Sequence, residues 1–150
     1  MSTTAEVVDK VRRLLVAKDF TVNLSGENGF VIPFEETDVF VDVEELEIWG
    51  DETIHPITIW APVLLDVPVS PDLYRYVAAE KFRFGSFKVF FADDQTAETA
   101  TTASLVFSHS IVGDFLDLDE LNVSIGMVLV SATSEMDDLQ PRFGGRKPSE

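Results

Sequence analysis

The sequence predicts an α+β domain in which helices flank an antiparallel sheet, in the order α-β-β-β-β-α-β-β-α. Segments that alternate polar and apolar residues dominate the chain, turn-forming residues separate them, and helical periodicity appears near the start, the middle and the end. The 150 residues, 45% of them hydrophobic, are enough to bury one sizeable core. No repeat or linker divides the chain, so we expect one domain over residues 1–140 and a flexible tail over 141–150.

The first predicted elements are a helix and a hairpin. A capping signal at Thr3 or Thr4 opens the helix. Its predicted buried stripe is formed by Val7, Val8, Val11, Leu14, Leu15 and Lys18. Alternating residues then predict strands over 20–24 and 30–34, joined by a Gly-rich turn.

Two further strands are predicted before the second helix. The alternation of residues 39–43 is broken at Leu46 and Ile48, which fall on the opposite parity and predict a bulge near Glu44. The next strand covers 57–65, where Pro56 and Pro62 predict an edge position or an interrupted ladder.

The second half begins with Ser70 and Pro71, a helix start that predicts a helix to about Phe82. Strands follow over 87–91 and 103–111. The last segment, 117–140, fits either a strand or a helix, and its length favours a helix.

Charge and cysteine content exclude several classes of function. The formal net charge is -16, and residues 19–74 hold thirteen acidic side chains without a single Lys or Arg. Such a chain repels nucleic acid and anionic membranes. It has no cysteine for disulfides or thiolate chemistry, its first residues show no signal-peptide pattern, and it has no run of roughly 20 apolar residues. We therefore expect a soluble, cytoplasmic protein.

No residue pattern predicts an active site. A Ser-His-Asp arrangement of Ser108 or Ser110 with His109 and Asp114 fails, because neighbouring residues on a strand point to opposite faces. The acids at Asp114, Asp117 and Asp119 lack the spacing of a calcium loop. We expect no catalytic residues, no cofactor and no metal site, and hence no enzyme.

Four aromatic residues do stand out, because they lie on the opposite parity from the apolar stripes of their strands. They are Phe40, Trp49, Trp60 and Phe90. Helices that cover both faces of the sheet, or a different strand register, would explain this pattern. The alternative is an exposed apolar patch that binds a peptide.

Two segments resemble a known family. Gly29-Phe30-Val31-Ile32-Pro33 follows the first helix, and the last predicted helix runs into Asp137-Asp138-Leu139-Gln140-Pro141-Arg142-Phe143-Gly144-Gly145. With the order of elements, these segments resemble the type III secretion chaperone-like superfamily, which includes the YbjN-type proteins and a peptide-binding chaperone branch. The resemblance implies a small, acidic, often dimeric protein that holds segments of other proteins on hydrophobic grooves.

The resulting hypothesis is a chaperone-like or regulatory protein that binds a peptide segment of a client protein, through hydrophobic surface with an acidic rim. One alternative is a self-associating dimer without a client. Another is a cation-binding protein or a small acid-dependent enzyme that uses Asp114, Asp117 and Asp119.

Overall fold

The computed structural model describes residues 2–80 and 84–150. Its helices are α1 (Thr4–Ala17), α2 (Pro71–Ala79) and α3 (Leu118–Phe143), and a 3-10 turn, Gly113–Phe115, precedes α3. Its strands are β1 (Asn23–Ser25), β2 (Gly29–Pro33), β3 (Asp38–Val43), β4 (Leu46–Glu47), β5 (Thr53–Ile54), β6 (Pro56–Pro68), β7 (Ser86–Phe90) and β8 (Thr102–Val112).

Six of these strands form one antiparallel sheet in the order β1-β2-β3-β6-β8-β7, and β4 pairs with β5 in a separate hairpin. The predicted α+β class and the helical last segment are confirmed. The long strands β6 and β8 lie side by side, and the register between them shifts after Pro62 and again after Leu64. Pro62 therefore marks an interrupted ladder within an inner strand.

Side-chain caps fix where each helix begins. Thr3 and Glu6 form a reciprocal capping box before α1, Ser70 accepts a hydrogen bond from the backbone N–H of Leu73, and Asp117 accepts one from that of Glu120. These bonds satisfy N–H groups that have no partner within the helix itself.

The three helices pack on one face of the sheet. Strand residues of a single parity point toward them, and they share one core with the buried stripes of the helices. The largest of the fully buried apolar side chains are Phe30, Phe107, Leu15, Ile32, Ile57, Ile59, Leu64, Leu73, Leu105, Leu121 and Ile125. Within the described residues, no helix lies over the opposite face.

The chain leaves the ladder after Val43 instead of forming the predicted bulge. The last backbone bond there runs from the Glu44 N–H to the carbonyl of Pro56. Leu46 and Ile48 belong to the β4–β5 hairpin and its turn. The alternation of faces along β3 therefore does not decide which way their side chains point. The predicted end of the second helix, Phe82, lies outside the described residues, and α2 ends at Ala79.

The predicted boundary at residue 140, between the domain and a flexible tail, is corrected. Helix α3 continues through Pro141 to Phe143, whose buried ring lies 5.4 Å from that of Tyr76. Beyond it, Arg146 exchanges two backbone hydrogen bonds with Leu65, of 2.8 and 2.9 Å. Gly145 permits this approach, because a Cβ there would lie 2.6 Å from the Leu65 carbonyl oxygen. The closing residues therefore pack on β6.

Candidate binding surface

Three of the four predicted aromatic residues meet on the helix-free face of the sheet. Phe40 and Trp60 are direct partners across β3 and β6, and their rings stack 4.1 Å apart at an angle of 9°. Phe90 on β7 meets Trp60 edge-to-face, with ring centroids 5.3 Å apart. We call Phe40, Trp60 and Phe90 the aromatic band. Both of its contacts have geometries that aromatic pairs prefer.

The band crosses β8, which lies between β6 and β7. Because Trp60 pairs with Ser108 while Phe90 pairs with Ser104, their rings meet above Val106. Val106 is only 1% exposed, although it is not part of the core beneath the helices. The band thus covers a small second apolar layer and presents its outer ring surface to solvent, with Phe90 40% exposed.

A carboxylate holds the middle of the band in place. The Trp60 Nε1–H donates to Asp42 Oδ2 over 2.8 Å, and Asp42 is partly buried. Desolvation raises the pKa of Asp42, the hydrogen bond from Trp60 lowers it, and the nearby charge of Glu44 raises it, so that the pKa stays above the ordinary value of 3.8. Asp42 packs against Gly29, where a Cβ would lie 2.4 Å from Asp42 Oδ1.

Grooves adjoin both ends of the band, and the one beside Phe40 is acidic. This groove, of about 290 Å³, is lined in part by Glu35, Glu36 and Asp38. Another of about 220 Å³ beside Phe90 includes Asp66, whose carboxylate is paired with Arg146 over 2.8 Å. The surface is therefore an apolar strip with a cluster of carboxylates at its Phe40 end, a pattern typical of a site for an apolar segment that carries positive charge at one end.

Trp49 lies apart from the band. It occupies the turn between β4 and β5 and is 77% exposed. Within residues 2–80 and 84–150, no ring contact joins it to Phe40, Trp60 or Phe90. The parity argument that grouped it with them assumed that β3 continued beyond Val43.

The sequence reasoning missed a buried pair between His55 and Asp114. The Asp114 carboxylate accepts a 2.7 Å hydrogen bond from the backbone N–H of His55 and lies 3.1 Å from its Nδ1. Desolvation raises the pKa of Asp114, but the hydrogen bonds and charge of His55 outweigh it, so the pKa is lowered overall. The two residues are separated by 59 positions, and no local spacing signals their contact.

The other titratable residues that the sequence singled out do not come together in one site. The His109 ring lies against that of Phe84, tilted by 31° with ring centroids 3.8 Å apart, and Asp114 binds His55 instead of His109. Asp117 is engaged as the cap of α3. In the part of the chain that the structure describes, no three His, Asp or Glu side chains converge to hold a metal ion. No described helix is both long and apolar enough to cross a membrane.

Comparison with known proteins leaves the family open. No family model and no curated protein matches the chain. Among solved structures, the chain aligns with the crystal structure of an uncharacterized protein from Methanothermobacter thermautotrophicus. The alignment has 19% identity and a TM-score of 0.41, and it covers 92% of this chain and 99% of the archaeal one.

Proposed function

We propose that the protein is a non-enzymatic binding module that holds an extended, basic segment of a client protein across the helix-free face of the sheet. The observation that carries this proposal is the aromatic band formed by Phe40, Trp60 and Phe90. It is the preformed apolar centre of a surface that is acidic at its Phe40 end.

The band supplies the attraction. Apolar side chains of the client would cover ring surface that now faces water, a gain of about 25 cal/mol per Å² before the cost of ordering the peptide. Because Phe40 and Trp60 are already stacked and the Trp60 N–H is already bonded to Asp42, little side-chain freedom remains to be lost on the protein side.

The acidic groove supplies selectivity. Carboxylates at Glu35, Glu36 and Asp38 lie at the Phe40 end of the strip, whereas Asp66 at the other end is paired with Arg146. The acidic groove favours Lys or Arg at one end of the bound segment, and the net charge of -16 speeds the encounter with a basic segment. Affinity should therefore fall as salt is added.

Two general features agree with this role. The chain has no cysteine to oxidise, which suits a reducing compartment, and the cytoplasm is the location we propose. Membership of the type III secretion chaperone-like superfamily, which we propose from the two sequence segments and the order of elements, implies client binding of the same kind.

A model peptide tests the proposal directly. A suitable peptide has about twelve residues, with Lys pairs at its ends and Leu alternating with Ser between them. In an extended conformation it places Leu side chains over the band and positive charge beside the acidic groove. Isothermal titration calorimetry should show that the wild type binds this peptide. Trp60→Ala and Phe40→Ala should each weaken binding about tenfold, a loss of roughly 1.4 kcal/mol in binding free energy. Trp49→Ala is the matched control, because it removes the other tryptophan from a distant exposed turn.

Two results would count against the proposal. One is equal weakening by Trp49→Ala and Trp60→Ala in variants whose circular dichroism matches that of the wild type. The other is equal binding of a peptide with Glu in place of every Lys. If neither result is obtained, affinity capture from cross-linked host lysate would identify the natural client.

A further inference from the structure

The bulge in β6 turns one residue of that strand away from β8. Residues 64 to 67 of β6 lie opposite residues 105 to 103 of β8, so β6 has one extra residue there. Asp66, within the bulge, adopts a left-handed conformation with φ of 54°. Both the N–H and the C=O of Leu65 bond to Arg146 and take no part in the ladder with β8.

The opposite side of β6 is short of a partner along the same stretch. β3 pairs with β6 as far as Trp60, and the Thr37 hydroxyl then donates to the Pro62 carbonyl over 2.8 Å. Past this point, among residues 2–80 and 84–150, one strand-like bridge adjoins this side of β6, the one between Leu65 and Arg146. A short edge of β6 therefore accepts added backbone, and a single residue of the chain fills it.

The segment that fills this edge has the chemistry of the client proposed above. We call residues 144–150, Gly-Gly-Arg-Lys-Pro-Ser-Glu, the closing segment. Its Arg146 Nε donates to Asp66 over 2.8 Å, and its Lys147 ammonium donates to Asp137. Residues 148 and 149 line the acidic groove beside Phe40, as Leu65 does. A basic segment of this chain thus lies at the groove where we place the basic end of the client.

Few contacts hold the closing segment in place. Both of its ion pairs lie at the surface, where competition from water and salt keeps them weak. The Gln140 side chain adds hydrogen bonds to Gly145 and Glu150. Gly144 and Gly145, both with φ of 80°, form the joint with α3, in a conformation that glycine adopts without strain. The segment can therefore detach while α3 and the sheet stay folded.

We infer that the bulged edge of β6 at Leu65 is a docking position for the backbone of the client's basic end, and that the closing segment competes for it. The inference rests on the proposed function, because it extends the client from the aromatic band through the acidic groove to this edge. A client that pairs there re-forms the two backbone hydrogen bonds that Arg146 gives up. Its apparent affinity is reduced in proportion to the fraction of molecules whose edge is free.

Hydrogen exchange of two backbone amides tests the change of partner. Leu65 and Arg146 donate to each other over 2.8 and 2.9 Å, so both amides should exchange slowly in the free protein. When the peptide with Lys pairs at its ends saturates the protein, the Leu65 amide should stay protected, because peptide backbone replaces Arg146. The Arg146 amide should exchange roughly tenfold faster. If both amides stay protected, or both lose protection, the inference is wrong.

A removable cross-link tests the competition. The chain has no cysteine, so Leu65→Cys combined with Arg146→Cys introduces a single pair. Antiparallel residues that exchange both backbone bonds have Cα atoms about 5.5 Å apart, within the range of a disulfide. Oxidation fastens the closing segment to β6 and reduction frees it, so the oxidised protein should bind the peptide at least about tenfold more weakly. Equal affinities of the two forms, or failure of the pair to cross-link, would overturn the inference.

Arg146→Ala and Arg12→Ala separate the competition from a simple effect of charge. Each removes one positive charge and one exposed ion pair, with Asp66 and with Asp9. Arg146→Ala weakens the hold on the closing segment and should raise peptide affinity about threefold or more. Arg12→Ala, on a helix that packs on the other face of the sheet, gives the effect of net charge alone. Equal gains in the two variants would contradict the competition.

Trp60→Ala distinguishes failure of this inference from failure of the proposed function. If Trp60→Ala weakens binding while oxidation of the cysteine pair does not, the aromatic band binds the peptide and the edge at Leu65 takes no part. If oxidation weakens binding while Trp60→Ala does not, the edge binds the peptide without the band, and the proposed function fails instead.

Discussion

Replacing Gly29 with alanine should loosen the edge of the sheet and disturb the aromatic band from beneath. A Cβ at this position would lie 2.4 Å from Asp42 Oδ1 and 2.4 Å from the carbonyl oxygen of Ser25. Both contacts are far shorter than van der Waals separation. Either β1, which is only three residues long, moves away, or the carboxylate that accepts the Trp60 N–H does.

The expected cost follows from this overlap. Forcing an extra methyl group into a packed site costs about 1–3 kcal/mol. Part of the strain can be released by detaching the short strand β1, which then loses its backbone pairing with β2. We expect a loss of about 2 kcal/mol in the free energy of unfolding, or about 4–8 °C in Tm for a chain of this length.

Gly126 supplies the control. It lies in the middle of α3, and a Cβ there would meet nothing within 4 Å. Alanine at this position should stabilise the monomer by about 0.5–1 kcal/mol, because glycine is the poorer helix former. Urea unfolding at low protein concentration, followed by circular dichroism, gives both values. The fluorescence of a Trp49→Phe background reports Trp60 alone.

The two substitutions should therefore have opposite signs. If Gly29→Ala is neutral or stabilising, the close packing of Asp42 on Gly29 is wrong, and so is the support that we assign to Trp60. If Gly29→Ala destabilises the protein without changing Trp60 fluorescence, the strain is released through β1 and not through the carboxylate.

Three further predictions concern titrating groups. The raised pKa of Asp42 means that stability is lost as the pH rises from 3.8 through the raised value, so Asp42→Asn should stabilise the protein near neutral pH and leave its stability unchanged below 3.8. The lowered pKa of Asp114 has the opposite sign: its stabilising contribution is present above 3.8 and is lost as the pH falls through the lowered value. Asp114→Asn should cost about 1–3 kcal/mol near neutral pH, and the difference from wild type should shrink in acid. Burial lowers the pKa of His109 from 6.5, so stability should rise with pH between the lowered value and 6.5, and His109→Gln should flatten this rise. Urea unfolding midpoints measured across the acid range check all three predictions. If a variant keeps the wild-type dependence of stability on pH, that dependence belongs to another group.

The aromatic band shows how much of the binding surface can be predicted from the sequence. The two-residue period of a strand is local, so parity alone predicted that Phe40, Trp60 and Phe90 point away from the apolar stripes. Their contacts depend on which residues face each other across β3, β6, β8 and β7. That register is fixed by pairing between distant segments, and the sequence also left open whether helices cover this face.

The remaining differences have local causes. The residue pattern places Trp49 with the band only if the strand continues through Leu46 and Ile48, whereas the chain turns away after Val43. Pro141 predicts a helix end, but burial of Phe143 against Tyr76 favours a further turn of helix. Helix propensity is a weak signal that such packing overrides.

The one-sided covering of the sheet leaves the molecule two layers thick, and a client on the bare face would add a third. Removing apolar surface from water lowers the heat capacity. Binding through the aromatic band should therefore become more exothermic as the temperature rises. Binding through the carboxylates alone would leave the enthalpy nearly constant. The temperature slope of the binding enthalpy thus distinguishes covered rings from a purely ionic contact before any complex is solved.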